Sequence, residues 1–288
     1  MRIHTRPEGC DSGRMRGLPN PASDVDLGSL KVIWIEPTSK CNLECIHCYS
    51  SASMLAKDDL TVDDWVDVLS QASETGCRIV QIAGGEPTLF DGLVSIVEKA
   101  RGIGFKYIVL FTNATLLTES DLDELSAYNI ELVTSFYSHV RDVHDAITQR
   151  QGSFERTVRG IRSIVDSGLP LEVSMVRMPQ NNGQVEGAIE FLVGLGVKRE
   201  KVAVGPVREA GRAAGARRGQ GERQDPYAAL CGHCTARHLV VSSDGSVYPC
   251  ILARWLPVGN VRTERLQQIL AKPQLGEFRR RRGWDSNP

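Results

Sequence analysis

No stretch of the chain stays apolar long enough to cross a bilayer as a helix, so membrane residence is not expected. Neither sign of charge prevails. Lys and Arg number 34 against 35 Asp and Glu, a net charge of −1. Without a basic excess, a sequence-independent nucleic-acid binder is not expected. The first thirty residues carry Arg2, Arg6, Arg14 and Arg16 among Pro, Gly and Ser but lack the apolar core of a secretory signal, so the expected location is cytoplasmic. Internal repeats are also missing.

What remains is a chain of 288 residues, 41% hydrophobic and 24% charged, enough for a sizeable core and about two domains. From Lys31 to Arg208, β-rich runs alternate with helical periodicity. Strands are expected at 32–35, 79–82, 107–111, 132–136, 171–176 and 202–204, with helices near 61–76, 91–103, 119–127, 153–168 and 183–195. Thr61-x-x-Asp64 and Thr118-x-x-Asp121 have capping-box spacing, and Gly76, Gly104 and Gly168 fall where helices should end. Six β units joined by helices imply an α/β fold with a parallel sheet, and periodicity alone fits an incomplete barrel or an open doubly wound sheet equally well.

Segment 208–230, rich in Gly, Ala and Arg, reads as a linker. Beyond it a hairpin is expected, Leu239–Val241 against Val247–Tyr248, turned by Asp244-Gly245, then a helix near 263–271. That tail is too small to form its own core unless its cysteines staple it. The organisation expected is an irregular tail over 1–30, an α/β unit over 31–207, the linker over 208–230, and a small stapled unit over 231–288.

Eight cysteines are present, and six of them fall into two groups, 41–48 and 231–250. In a reducing compartment such clusters indicate metal or redox chemistry before disulfides. Cys41, Cys45 and Cys48 follow the first strand. Three thiolates on a [4Fe–4S] cluster leave one iron open to a ligand; a structural zinc loop borrowing His47 is the alternative. Ala83-Gly84-Gly85-Glu86-Pro87-Thr88 follows the second strand. Its glycines would let backbone approach a ligand, and Glu86 would accept from an ammonium. Cys10 and Cys77 read as ordinary thiols, and His139 and His144 as surface residues. The basic stretches 208–223 and Arg279–Arg282 read as solvated faces, with docking of an acidic peptide as a second option.

The run from Glu36 to Tyr49, with Cys41-x-x-x-Cys45-x-x-Cys48, resembles the cluster loop of radical S-adenosylmethionine (SAM) enzymes, and Gly84-Gly85-Glu86-Pro87 resembles their SAM-contacting loop. The resemblance implies a partial (β/α)6 barrel holding a [4Fe–4S] cluster and SAM, whose reductive cleavage yields a 5′-deoxyadenosyl radical that abstracts a substrate hydrogen. It also implies polar SAM contacts at strand ends, with Ser135 and Arg177 carried over and Asn113 beside them. Cys231-x-x-Cys234 with Cys250, spaced C-x10-G-x4-C, resembles the start of a SPASM/twitch extension holding an auxiliary [4Fe–4S] cluster. A zinc ribbon using His233 or His238 is the alternative there.

Full SPASM domains carry further cysteines after the short helix. Here the sequence reaches Gly283–Pro288 without them, so either a short form with one auxiliary cluster or a domain extending beyond this sequence is expected. Two cubane clusters would place about 8 iron atoms on each chain. Stretches 131–138, 147–153 and 252–260 resemble actinobacterial peptide maturases of this group, which implies a ribosomally made peptide as substrate. An aminosugar or aminocyclitol intermediate is the alternative. An electron donor such as flavodoxin or ferredoxin is implied. Peptide maturases often carry an N-terminal leader-binding domain, which thirty irregular residues cannot build, so a leader is expected to need a separate binding protein or the basic stretches 208–223 and Arg279–Arg282.

Overall fold

The computed structural model describes residues 30–215, 226–230 and 238–281. Six strands, β1 (Val32–Thr38), β2 (Ile79–Gly84), β3 (Tyr107–Thr112), β4 (Glu131–Ser135), β5 (Leu171–Arg177) and β6 (Val202–Pro206), alternate with α1 (Val62–Glu74), α2 (Leu93–Ile103), α3 (Glu119–Ser126), α4 (Arg141–Thr148), α5 (Ser153–Ser167) and α6 (Val185–Gly194). After them come α7 (Arg212–Gly215), β7 (His238–Val241), β8 (Ser246–Tyr248), β9 (Gly259–Asn260), α8 (Leu266–Leu270) and α9 (Pro273–Arg281). No helix among the described residues is long and apolar enough to cross a membrane.

The strand order is β6-β5-β4-β3-β2-β1-β7-β8-β9, with β1 to β6 parallel. Each strand of the first six lies beside its predecessor. A doubly wound sheet would reverse direction at a switch point; this one does not, so the crossovers keep their helices on one face and the sheet curls into a partial barrel. Strand alternation divides the side chains. Ile33, Ile35, Val80, Ile82, Ile108, Leu110, Leu132 and Val173 are buried with Trp65, Leu69, Ile96, Leu122 and Ile161 of the helices. The opposite phase, including Trp34, Phe111, Val133, Ser135, Ser174 and Val176, lines a central cavity.

Both capping boxes form, with Thr61 and Thr118 exchanging bonds with Asp64 and Asp121, and Gly104 and Gly168 close α2 and α5 in the left-handed region. Helix α4 was not expected from the sequence. It is short, has no side-chain cap and begins at Arg141, so only its buried face betrays it.

The hairpin forms where expected, but it is not a separate body. β7 pairs parallel with β1, and Leu239, Val241, Val247, Val258, Leu266 and Ile269 join the barrel's own core. The open β1 edge needed a partner, and β7 supplies it. A smaller group, Leu230, Cys250, Ala253 and Phe278, packs by itself. Arg279, read from the sequence as part of a solvated run, is buried.

Candidate active site

The cavity, about 380 Å³, opens at the carboxyl ends of the barrel strands, where such folds gather functional side chains. Cys41, Cys45 and Cys48 line it together, half-buried, and none of the described cysteines is in a disulfide. Their loop is tied down at several points. Glu44 and Ile46 donate backbone N–H groups to the carbonyls of Thr148 and Ile147, 3.0 Å each, which satisfies the open end of α4. Asp58 accepts from the Thr38 hydroxyl (2.6 Å) and the Ser39 N–H (2.8 Å) where the chain leaves β1. The Asn113 amide donates to Asn42 Oδ1 at 2.9 Å and lies 3.9 Å from Cys41 Sγ.

Burial pushes the Cys41 thiol up to about 11 and Cys45 up to about 12; the nearby thiols add to both, and the Glu86 carboxylate to Cys41. Thiols held this way are protonated at neutral pH, and metal binding would have to release their protons. Among the described residues no three His, Cys, Asp or Glu side chains converge on one point as a single metal ion requires. His47 belongs to no such group among the described residues. A cubane cluster places each thiolate on a different iron, so three thiols spread around one cavity wall suit it. His47 is nevertheless part of the wall. Burial first, then the Arg212 charge, lowers it to about 4, and its ring meets Tyr137 edge-on at 4.8 Å.

The glycine loop is held against protein rather than open to a ligand on every side. Gly85 and Glu86 donate N–H to the carbonyls of Thr38 (2.9 Å) and Lys40 (2.8 Å). A Cβ on Gly85 would lie 1.9 Å from Lys40 O, and one on Gly84, at φ +118°, 2.5 Å from Thr38 O. Both glycines are therefore required by the approach of β2's exit to the three-cysteine loop, while their remaining surface lines the cavity.

Glu86 is buried, with its carboxylate accepting from the Thr112 hydroxyl (2.7 Å), the Asn113 N–H (2.7 Å), and the Thr88 hydroxyl (2.8 Å) and N–H (3.2 Å). Its acceptor capacity goes largely to joining the β2 and β3 exits, not to a free ligand-facing oxygen. Burial raises its pKa against the pull of those donors. Pro87 is buried at the first turn of the short 3-10 helix that Glu86 caps.

Of the strand-end residues, Ser135 and Asn113 line the cavity. Arg177 is exposed and not on the lining; in β5 it lies one residue past Val176, on the other strand phase. His139 and His144 differ from their expected surface placement. His139 is half-buried, and His144 is fully buried on α4, its pKa lowered to about 4 by burial. Cys77 is a buried thiol directed at the Lys31 and Ile79 carbonyls, 3.3 Å each. Cys10, Cys231 and Cys234 lie outside the described residues. Cys250 is buried, and its neighbours Ile251 and Leu252 reach the cavity wall.

Two further groups were not apparent from the sequence. The Tyr137 phenol meets both the Ser135 hydroxyl and the Cys45 thiol; burial, then the Cys45 charge, raises it well above the usual phenol range. Glu36, at the end of β1, is buried and paired with Arg254, whose guanidinium lies over the rings of Tyr49 (5.4 Å) and Tyr248 (5.0 Å). Tyr49 also donates to Glu36 Oε1 at 3.2 Å. The partners come from opposite ends of the chain, and no local motif announces such a contact.

The sequence model described as "Radical SAM superfamily" matches residues 35–192, and the SPASM model, "Iron-sulfur cluster-binding domain", matches 221–287. A probable GTP 3′,8-cyclase of Methanothermobacter marburgensis is 28% identical over 257 residues, 76% of this chain and 83% of that protein. The PqqA peptide cyclase of Rhizobium meliloti is 28% identical over 170 residues, 58% of this chain but 45% of that protein. Streptococcus suis SuiB, solved with S-adenosylmethionine, shares the fold at a TM-score of 0.69 and 19% identity, over 88% of this chain and 68% of that one. A [4Fe–4S] cluster, SAM and auxiliary iron–sulfur binding accompany these two domains. With a matching family model over more than half its length and the partial barrel to go with it, the chain belongs to the radical SAM superfamily and carries a SPASM domain.

Proposed function

We propose that this enzyme modifies a ribosomally made peptide by crosslinking, oxidation or epimerisation. Cys41, Cys45 and Cys48 would hold the SAM-binding cluster, the Gly84-Gly85 backbone and the Ser135 hydroxyl would contact SAM, and Cys231, Cys234 and Cys250 would serve the auxiliary cluster. When bound, cluster and SAM supply a one-electron cleavage that delivers a primary carbon radical. The chain's part is to hold that event in a dry, shaped cavity and to present one substrate carbon to it.

The observation that carries the peptide reading is the character of the wall. Trp34 and Phe111 pack at 4.9 Å, and Val133, Met175, Ile251 and Leu252 continue the apolar surface. Arg208 is the one permanent cation among the described lining residues. A nucleoside triphosphate such as the named substrate of the cyclase relatives needs clustered cations for its phosphates. An aminosugar needs a dense set of polar groups. An apolar peptide side chain needs neither. The electron donor would be of the flavodoxin or ferredoxin class.

The test is co-expression with the short peptides encoded beside the gene, under iron-replete, low-oxygen conditions, followed by mass measurement. A loss of about two hydrogens supports dehydrogenative modification. Unchanged peptides alongside 5′-deoxyadenosine formation by the purified protein would favour the aminosugar reading.

A further inference from the structure

Residues 208–215 follow β6 and were expected to begin a linker. They form a strap across the three-cysteine loop instead. The Arg212 N–H donates to Cys48 O at 3.0 Å. Its side chain donates through Nε to Cys45 O and through Nη1 to Ala52 O, 2.8 Å each. One residue thus engages three carbonyls of the loop, two of them on cysteines. Gly211 makes this approach possible. At φ +56° it sits so close that a Cβ would lie 2.2 Å from Cys48 O and 2.4 Å from Tyr49 O. Only glycine satisfies both the left-handed backbone and that distance.

The charge has a direction as well. Among the described residues no carboxylate pairs with Arg212, so its field acts on the loop it touches. A fixed cation beside an iron–sulfur site favours the form with the added electron, and net charge nearby is among the determinants of cluster potential.

We propose that Arg212 is a positioning residue which locks the three-cysteine loop and, through the charge it holds against that loop, raises the reduction potential of the cluster the loop holds. This rests on the assignment of Cys41, Cys45 and Cys48 as the cluster ligands. The strap makes two separable contributions, since its hydrogen bonds order the loop and its charge sets the electron's destination.

The experiment uses the full chain, reconstituted anaerobically, in redox titrations followed by electron paramagnetic resonance. The signal that changes when SAM is added identifies the cluster with an open iron. Arg212→Gln is expected to lower the reduced-to-oxidised ratio of that cluster about tenfold at a fixed potential, a midpoint about 59 mV more negative. Arg212→Lys, which keeps the charge but loses the planar fork, is expected to stay near the parent midpoint. Gly211→Ala, which keeps the charge but lifts the strap, is expected to lose iron to a chelator faster than the parent.

A fully loaded Arg212→Gln protein with the parent midpoint would overturn the electrostatic part, as would a Lys variant shifted as far as Gln. Iron loss from Gly211→Ala at the parent rate would overturn the positioning part. A SAM-responsive signal that persists when Cys41, Cys45 and Cys48 are all Ala would overturn the ligand assignment itself, a result distinguishable from the others.

Discussion

Gly85 has no room for a side chain, because the carbonyl of Lys40 occupies the place a Cβ would take, 1.9 Å away. The obstacle is backbone, which cannot rotate aside as a side chain tip can. Gly85→Ala should therefore destabilise the fold by about 3 kcal/mol, measured as a shift in urea midpoint at unchanged slope. An unchanged midpoint would show that the β2 exit and the three-cysteine loop move apart readily.

This glycine, like Cys41, Cys45 and Cys48, was legible in the sequence because its chemistry is compact: the residues that matter are neighbours, and their spacing is itself the signal. The reason for the glycine was not legible, since Lys40 and Gly85 meet only across two parallel strands. Glu86 illustrates the same limit. Its residue type and position suggested a ligand contact, but only the fold reveals Thr112 and Asn113 as its partners.

At the scale of elements, the best-read helices were those with their own punctuation, such as α1 and α3 with their capping boxes. Helix α5 begins differently. Its cap position is Gly152, which offers no side chain, and the function passes to Asp145 on α4. Asp145 accepts from Gly152 N–H (2.6 Å), Ser153 Oγ (2.8 Å) and Phe154 N–H (2.8 Å). A cap supplied from seven residues upstream cannot be recognised by local spacing, which is also why α4 escaped notice.

Replacing Asp145 with Ala should cost about 1–3 kcal/mol of stability. Partial burial works against ionisation of Asp145, but the Phe154, Ser153 and Gly152 donors outweigh it and hold the carboxyl below its usual range. A depressed folded pKa means the contribution is full above about pH 4, the unfolded value, and fades as pH falls through the folded one. The stability gap between the parent and Asp145→Asn should accordingly narrow on acidification; a gap that widens would contradict this account.

Over the whole molecule, the two family-matched regions share a single sheet through β1 and β7 and are also joined by the Glu36–Arg254 ion pair. Breaking that pair from one side leaves a carboxylate buried without its cation. Arg254→Met should cost about 3–5 kcal/mol, and adding Glu36→Gln should recover much of the loss. Equal loss in the single and double variants would mean that the guanidinium matters through packing on Tyr49 and Tyr248 rather than through charge.

If the chain works as proposed, SAM is cleaved in the cavity bounded by Cys41, Cys45, Cys48 and the Gly84-Gly85 turn. The direct measurement is 5′-deoxyadenosine released from SAM by anaerobically reconstituted protein with a chemical reductant. The parent should form it in a reductant-dependent manner, and the variant with Ala at Cys41, Cys45 and Cys48 should form none. Undiminished product from that variant, or none from an iron-loaded parent, would contradict the account.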